Sequence, residues 1–521
     1  LEKGKERCYV LIGTWMIDDG SPVFFCPTQR VPGPGGYMTS SADSRMTEVR
    51  RLLSESWTMG WPMILIMFFH FSIGMADVYV AGYLGTDVLA AVGYVSQLYW
   101  TFMILANGIT VGAVSMISQA YGASSSEGVG HVTAHSLILG IAVAGLITVG
   151  AQLYPGPIVR IAGMPPEIRD VSERFVSIFS LVLVPTYIMI ISGGVLRSSG
   201  RIIVTMVNSL IASAANVAGD FILPFGWGPI PPMGYSGIAW ATAIATSLGM
   251  VLNVFFITRG PARVTAKALL TPLPRCFRNL VKLGVPPAVQ QTAWNAGTLV
   301  IYFLVARLPH AEVTALAAMT AGVRIEAIVF LPIFALNMAS AVLTGNRLGA
   351  GDTSGARASA KVTAGLCLGI IALPVLAMFV FAPEVASFLS HDDAVHDEMV
   401  RYLRINMVGM PFLAIGVSLA GALQGAGDTF STMRIVFTGM WIIRIPLMLV
   451  MIHFVGAGPA GIWWSMTVSV ALMCFLFVIR FRTDSWTKAS VDKTNKTMLW
   501  EACVPGLVPR KGESLRPTES P

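Results

Sequence analysis

Leu89-Ala90-Ala91 and Gly122-Ala123 stand at the two ends of an apolar run at 88–120. Both return 227 residues later, as Leu316-Ala317-Ala318 and Gly349-Ala350, around a second run at 314–345. Each run exceeds the about 20 residues that carry a helix across the roughly 30 Å hydrocarbon core of a bilayer. Leu196 and Gly200 recur as Leu423 and Gly427 at the same offset. Gly60 and Pro62 recur as Gly284 and Pro286, and Gly234 and Gly237 as Gly458 and Gly461, in both cases 224 apart. The three-residue shifts fall in loops, where length changes are tolerated. Chance does not keep one offset at glycine positions over so long a stretch, so the chain is an internal repeat of membrane spans.

Working outward, the first repeat holds spans at 57–76, 88–120, 133–155, 174–196, 202–225 and 236–257. The second holds spans at 282–306, 314–345, 358–382, 398–423, 433–455 and 460–480. Pro62, Pro185, Pro332, Pro411 and Pro446 predict kinks within them. Six spans per repeat is an even number, so both halves enter the membrane in the same sense, related by an axis along the membrane normal. The expectation is an all-α polytopic membrane protein, with twelve transmembrane helices in two six-helix lobes. Its parts are a disordered N-terminal extension (1–50), an amino-terminal lobe (51–258), a basic linker (259–281), a carboxy-terminal lobe (282–482) and a polar, disordered tail (483–521). Met38 and Met46 precede the first span, and translation is expected to start near Met38, leaving 1–37 as an upstream extension.

Composition agrees. Of 521 residues, 54% are hydrophobic and 12% charged, with a mean hydropathy of +0.68; soluble domains carry about 25% charged residues. The net charge of +7 does not point to nucleic acid, because the basic residues sit between apolar segments, as topology signals do. Arg259, Arg263, Lys267, Arg275, Arg278 and Lys282 place the central linker in the cytoplasm. Arg197, Arg201, Arg347, Arg357, Lys361 and Arg434 place the other even-numbered loops there, and both termini with them. The six cysteines show no C-x-x-C pair and support neither a metal site nor a disulfide framework.

Ionisable side chains inside spans are costly and usually functional. Asp77 ends the first span. Asn216 and Asp220 lie four apart on one face of the fifth, and Thr242 lies in the sixth. Two carboxylates in one apolar lobe repel each other, so they would hold a proton or share one Na⁺ through oxygen ligands. In the second half, Arg324 and Glu326 are two apart and cannot face each other on a helix; they pair with other spans or line the cavity, and Arg444 lies in the eleventh span. Gln290, Gln291 and Asn295 of the seventh span are candidate cavity-lining residues. His391-Asp392-Asp393 with His396 reads as a loop capping the next helix, not a metal site. The glycine-rich segment Gly345–Gly351 lacks the Gly-Lys-Ser/Thr of a phosphate loop and reads as a helix end.

These residues resemble the multidrug and toxic compound extrusion family. Gly74-Met75-Ala76-Asp77-Val78-Tyr79-Val80-Ala81-Gly82-Tyr83-Leu84-Gly85, followed by Leu89-Ala90-Ala91-Val92-Gly93, is similar to its first motif. Gln119-Ala120-Tyr121-Gly122-Ala123 and its counterpart Asn346-Arg347-Leu348-Gly349-Ala350-Gly351 fit as well. So do Leu196-Arg197-Ser198-Ser199-Gly200, Asn216 with Asp220, Gly237-Ile238-Ala239-Trp240-Ala241-Thr242 and Leu423-Gln424-Gly425-Ala426-Gly427-Asp428. The resemblance covers roughly 55–482. It implies export of organic, often cationic, compounds against inward H⁺ or Na⁺ by alternating access, with an amino-lobe cation site at Asp77, Asn216, Asp220 and Thr242. Another branch of the family uses a seventh-helix Glu and a tenth-helix Asp. Here Ala293-Trp294-Asn295 holds no acid, and the tenth span has none between Glu398 and Asp428, so the prokaryotic amino-lobe branch fits better. The resemblance further implies a multi-pass protein of the cell (inner) membrane, a monomer with small organic substrates, a lipid environment, no nucleic acid and no cofactor beyond the coupling ion. A lipid-linked oligosaccharide flippase of related fold is the alternative, and it would want a strongly basic cavity. A membrane-embedded enzyme would need a catalytic constellation, and none is present.

Overall fold

The computed structural model describes residues 41–161, 163–164, 169–229, 231–260, 263–271, 273–308, 312–491 and 497–507. The chain divides into two units, Val49–Pro521 and Leu1–Glu48. Of the latter only 41–48 are described, as the first turns of a helix where a disordered extension was expected. The call on residues 1–37 lies outside the described residues.

The first lobe is built from α1 (Ser41–Leu84), α2 (Thr86–Gly122), α3 (Ser126–Leu153), α4 (Pro155–Ile161), α5 (Arg169–Ser198), α6 (Ile202–Phe225) and α7 (Tyr235–Thr258). A short helix, α8 (Ala266–Leu270), sits in the linker. The second lobe follows with α9 (Pro274–Val305), α10 (Glu312–Gly349), α11 (Thr353–Val380), α12 (Ala382–Leu389) and α13 (Asp393–Gly425). Its eleventh span is α14 (Thr429–Phe437), a π-helical turn (Thr438–Arg444) and α15 (Ile445–His453), and α16 (Gly458–Arg482) closes the lobe.

The repeat extends to details that hydropathy does not show. α3 and α11 are each 28 residues long. The short helices α4 and α12, expected as parts of spans or loops, start at Pro155 and Ala382, again 227 apart. Asp392 caps α13 by accepting from the Val395 N–H at 3.0 Å, the role read for that acidic loop. α10 ends at Gly349, and the turn closes through Gly351 at φ +79°, a left-handed conformation that glycine adopts freely. Pro62, Pro185, Pro332 and Pro411 lie inside α1, α5, α10 and α13. Pro446 lies two residues beyond the π-helical turn, which re-routes the backbone near where proline supplies no N–H.

Eleven described helices are long and apolar enough to cross a membrane. The seventh span, α9, is 32 residues long but less apolar, because its middle carries Pro286, Pro287, Gln290, Gln291, Thr292 and Asn295. It begins at Pro274, not 282, so the linker is shorter than expected; proline at the first helical turn forfeits no bond there.

The lobes meet along backbone. A Cβ on Gly108 would lie 2.6 Å from the Gly284 carbonyl oxygen, and one on Gly112 3.0 Å from that of Leu280. The Gly425 carbonyl accepts from Gln119 Nε2 at 2.9 Å and from Ser115 Oγ at 3.2 Å. The Ser56 and Thr363 hydroxyls lie 2.9 Å apart, and Arg347 pairs with Glu55. All of these lie in the halves of their helices that are nearer the 259–273 linker, a side here called the linker face.

Two expectations are overturned on that face. Residues 484–491 and 497–507 do not form a disordered tail: Trp486 is buried among Leu348, Phe477 and Phe481 of the second lobe, and Trp500 is buried beside Val129, Val132 and Leu280. Cys276 and Cys503, which no spacing rule paired, form a disulfide. Apolar side chains met from distant parts of the chain order this tail, and no local periodicity announces them.

Candidate functional site

Asp220 on α6 is fully buried, and neither carboxylate oxygen has a hydrogen-bond partner. One turn earlier Asn216, also fully buried, donates through Nδ2 to Thr242 Oγ1 at 3.3 Å, and Thr242 donates to the Ile238 carbonyl at 3.2 Å. The Asn216 Oδ1 has no partner. Asp77 of α1 turns a buried, unpartnered Oδ1 to the same place, and its carboxyl lies within hydrogen-bonding reach of that of Asp220. Close approach of α6 and α7 makes this possible: a Cβ on Gly237 would stand 2.5 Å from the Pro224 backbone nitrogen, so only glycine lets α7 start against α6 and carry Thr242 to Asn216.

The result is four buried oxygens without donors: Asp77 Oδ1, Asn216 Oδ1 and both of Asp220. Buried polar groups are ordinarily hydrogen-bonded, and an unpaired buried carboxylate costs several kcal/mol. A proton shared between the carboxyls, or a hard cation with oxygen ligands, relieves that cost. The donor set therefore fits H⁺ or Na⁺. Tyr99 of α2, not singled out in the sequence, lies within electrostatic reach of Asp77 while its hydroxyl donates to Thr186 Oγ1 at 3.0 Å. Its only sequence signal is an aromatic hydroxyl amid an apolar run.

In the second lobe Glu326 is buried and Arg324 exposed, as their two-residue spacing demands. Glu326 faces Tyr402 of α13 and Arg444 of the π-helical turn, and its Oε1 has no partner. Arg444, 3% exposed, donates to Ser469 Oγ at 2.7 Å and lies 5.3 Å from the Trp294 ring centre. Trp463 Nε1 donates to Glu398 Oε1 at 2.6 Å. On α9, Gln290 is half-buried with an unpartnered Oε1. Exposed Gln291 reaches half-buried Asn295 through a 3.5 Å side-chain contact. A cavity of about 700 Å³, lined by Asp170, Glu173, Arg174, Met233 and Trp240 among others, shares no residue with the carboxylate site.

Two helical lobes built as repeats of one another, with an unpaired carboxylate pair inside one of them, define a membrane transporter. The chain matches the MatE family model over residues 62–222 and 286–450, and it belongs to that family, the multidrug and toxic compound extrusion transporters. It is 23% identical over 430 residues to a probable multidrug resistance protein NorM of Thermotoga maritima, covering 80% of this chain and 89% of that one. A second relative so named, from Deinococcus radiodurans, is 25% identical over 453 residues, covering 84% and 96%. Among solved structures, a MOP-superfamily transporter of Pyrococcus furiosus aligns at TM-score 0.77 and 19% identity, covering 85% of this chain and 97% of that one. An outward-facing multidrug resistance transporter of the MATE family aligns at 0.77 and 20%, covering 83% and 95%.

Proposed function

We propose that this transporter expels small organic compounds in exchange for H⁺ or Na⁺, with Asp77, Asn216, Asp220 and Thr242 as the coupling site. The observation that carries the reading is the set of four donorless oxygens buried around Asp220. Loading the site neutralises a carboxylate pair whose charge the lobe does not tolerate, and so favours one lobe conformation. Substrate, entering between the lobes past Gln290, Gln291, Asn295, Arg324 and Glu326, favours the other. Antiport is that difference in affinity between two states. The basic linker supports a cytoplasmic linker face, with both termini on that side, in a proposed monomer of the cell (inner) membrane with no cofactor beyond the coupling ion. The multidrug names of the relatives support the substrate class.

The test is uptake of a fluorescent organic cation by proteoliposomes under an imposed pH or Na⁺ gradient. Wild type is expected to respond to one of the two gradients, and Asp220→Asn to neither. Transport that survives in Asp220→Asn removes this residue from coupling. A wild type inert under both gradients favours the oligosaccharide flippase.

A further inference from the structure

The chain after α16 crosses the linker face from one lobe to the other. Residues 484–491 are anchored in the second lobe. Trp486 is buried, stacks on Phe481 at 5.1 Å and donates to the Phe481 carbonyl at 2.9 Å, while Asp484 pairs with Arg357. The returning stretch 497–507 is joined to the first by the Leu499 N–H donating to the Ser490 carbonyl at 2.8 Å. It then docks where α9 meets the first lobe. Asn279 of α9 donates to the Leu499 carbonyl at 3.0 Å. Trp500 packs on α3, where a Cβ on Gly128 would come within 2.7 Å of its ring. Val129, Val132, Ile117, Leu280, Leu283, Leu499, Cys503 and Val504 share one buried cluster. Cys503 is covalently bound to Cys276 in the first turn of α9.

The first-lobe surface under Trp500 and the α9 surface beside it are the two sides of the seam that must part if the linker face opens. A segment bonded to one side and wedged on the other resists that parting. We infer that residues 497–507 are a latch holding the linker face shut, and that the Cys276–Cys503 pair makes the latch answer to the thiol state of the surrounding compartment. While the bond is intact, opening has to strip Trp500 from α3. Once it is reduced, the tail can stay on α3 while α9 moves away. The linker face lies in the cytoplasm in the reading above, and disulfides there are rare and usually transient or redox-sensing. The reductant is a cellular dithiol. Its thiolate attacks one sulfur of the pair, the other leaves as a thiolate, and its second thiol resolves the mixed disulfide. Two electrons pass, the reductant departs as a disulfide, and Cys276 and Cys503 end as thiols. Both cysteines are fully buried, so exchange takes place when the tail has lifted, and reduction traps the unlatched form.

The latch stands on packing and on the Cys276–Cys503 bond; its exposure to cytoplasmic thiols and its effect on transport rest on the function proposed above. The test is hydrogen–deuterium exchange, read by mass spectrometry, on the full chain in oxidised form, after dithiothreitol, and as Cys503→Ser. Peptides covering 108–132 and 276–284 are expected to exchange several-fold faster after reduction and in Cys503→Ser, with no added effect of reductant on that variant. Trp500→Ala, with its disulfide intact, is expected to speed the same peptides. Unchanged exchange in reduced wild type or in Trp500→Ala overturns the latch. So does peptide mapping that finds Cys276 and Cys503 as free thiols in the oxidised sample. Drug turnover in proteoliposomes, read on the same samples, is expected to be several-fold lower in the oxidised form; equal turnover with altered exchange overturns the regulatory role. Thiol-dependent exchange without any drug movement leaves the latch standing and removes the transport reading.

Discussion

At Gly122 a Cβ would stand 1.9 Å from the Asn346 carbonyl oxygen, and at Gly349 a Cβ would stand 1.9 Å from that of Gln119. The four residues are two repeat pairs, Gln119 with Asn346 and Gly122 with Gly349, so the contact is reciprocal across the pseudo-twofold axis. Backbone meets backbone there, and no rotamer change makes room. Gly349→Ala is therefore expected to prevent closure of the linker face and cut turnover at least tenfold, read in proteoliposomes. Gly145→Ala in α3, where nothing lies within 4 Å, serves as control; it keeps full turnover and gains about 0.5–1 kcal/mol of stability. Asp352, which caps α11, argues differently. Burial pushes its carboxyl upward, but the Gly355 N–H at 2.8 Å, the Ser354 hydroxyl at 3.0 Å and Arg347 at 3.3 Å outweigh that and hold it below the usual carboxylate range. The folded value is depressed, so the stability this group adds is complete above the ordinary carboxylate pKa of about 4 and is lost as pH falls through the folded value. Asp352→Ala is expected to lose about 1 kcal/mol near neutral pH and less near pH 3, measured by thermal unfolding in detergent.

Among elements, the spans were legible because hydropathy counts what faces lipid, and glycine at a fixed offset marks backbone meeting backbone. Their lengths were not: α1 and α9 begin well before their apolar cores, since a helix continues in water wherever its side chains still find partners. The tail was illegible for a related reason, as Trp486 and Trp500 are each buried by residues far away in sequence. Asp77, Asn216, Asp220 and Thr242 were nameable from motif and helical spacing, but that Asp77 Oδ1, Asn216 Oδ1 and both Asp220 oxygens meet no donor is a property of packing. The same holds for the second lobe, where Glu326 was visible as a charge and its setting with Tyr402 and Arg444 was not. Arg444 sits on a π-helical turn, a distortion often found at functional sites. Its guanidinium is the cation within electrostatic reach of Glu326. Removing one member of such a buried set leaves the other uncompensated, at a cost of about 3–5 kcal/mol. Arg444→Met is expected to lose about that much. Arg444→Met with Glu326→Gln is expected to recover a large part of it, a non-additivity that thermal unfolding of the single and double variants measures.

For the whole molecule, the repeat preserved the backbone and let the charges diverge. Tyr99 on α2 has Glu326 as its counterpart on α10, 227 residues on. The first lobe sets Asp77 beside Asp220, and the second sets Glu326 against the Arg444 guanidinium. In the coupling proposed above, the first pair is the one that an incoming cation neutralises, which gives the lobes unequal parts in the proposed motion. That motion requires the linker face to part. Ser56 of α1 and Thr363 of α11 belong to opposite lobes, and their hydroxyls lie 2.9 Å apart. Cysteines at both positions bring sulfurs close to bonding distance in this state and separate them in any state where the face is open. In a Cys503→Ser background, which removes the native cross-link, Ser56→Cys with Thr363→Cys is expected to cross-link under mild oxidant, to lose drug turnover as it does so, and to regain it with dithiothreitol. Each single variant should be indifferent to both reagents. Full turnover in the cross-linked double variant would mean that the seam between α1 and α11 never opens, and the rocking of one lobe against the other would have to be replaced by motion within a single lobe.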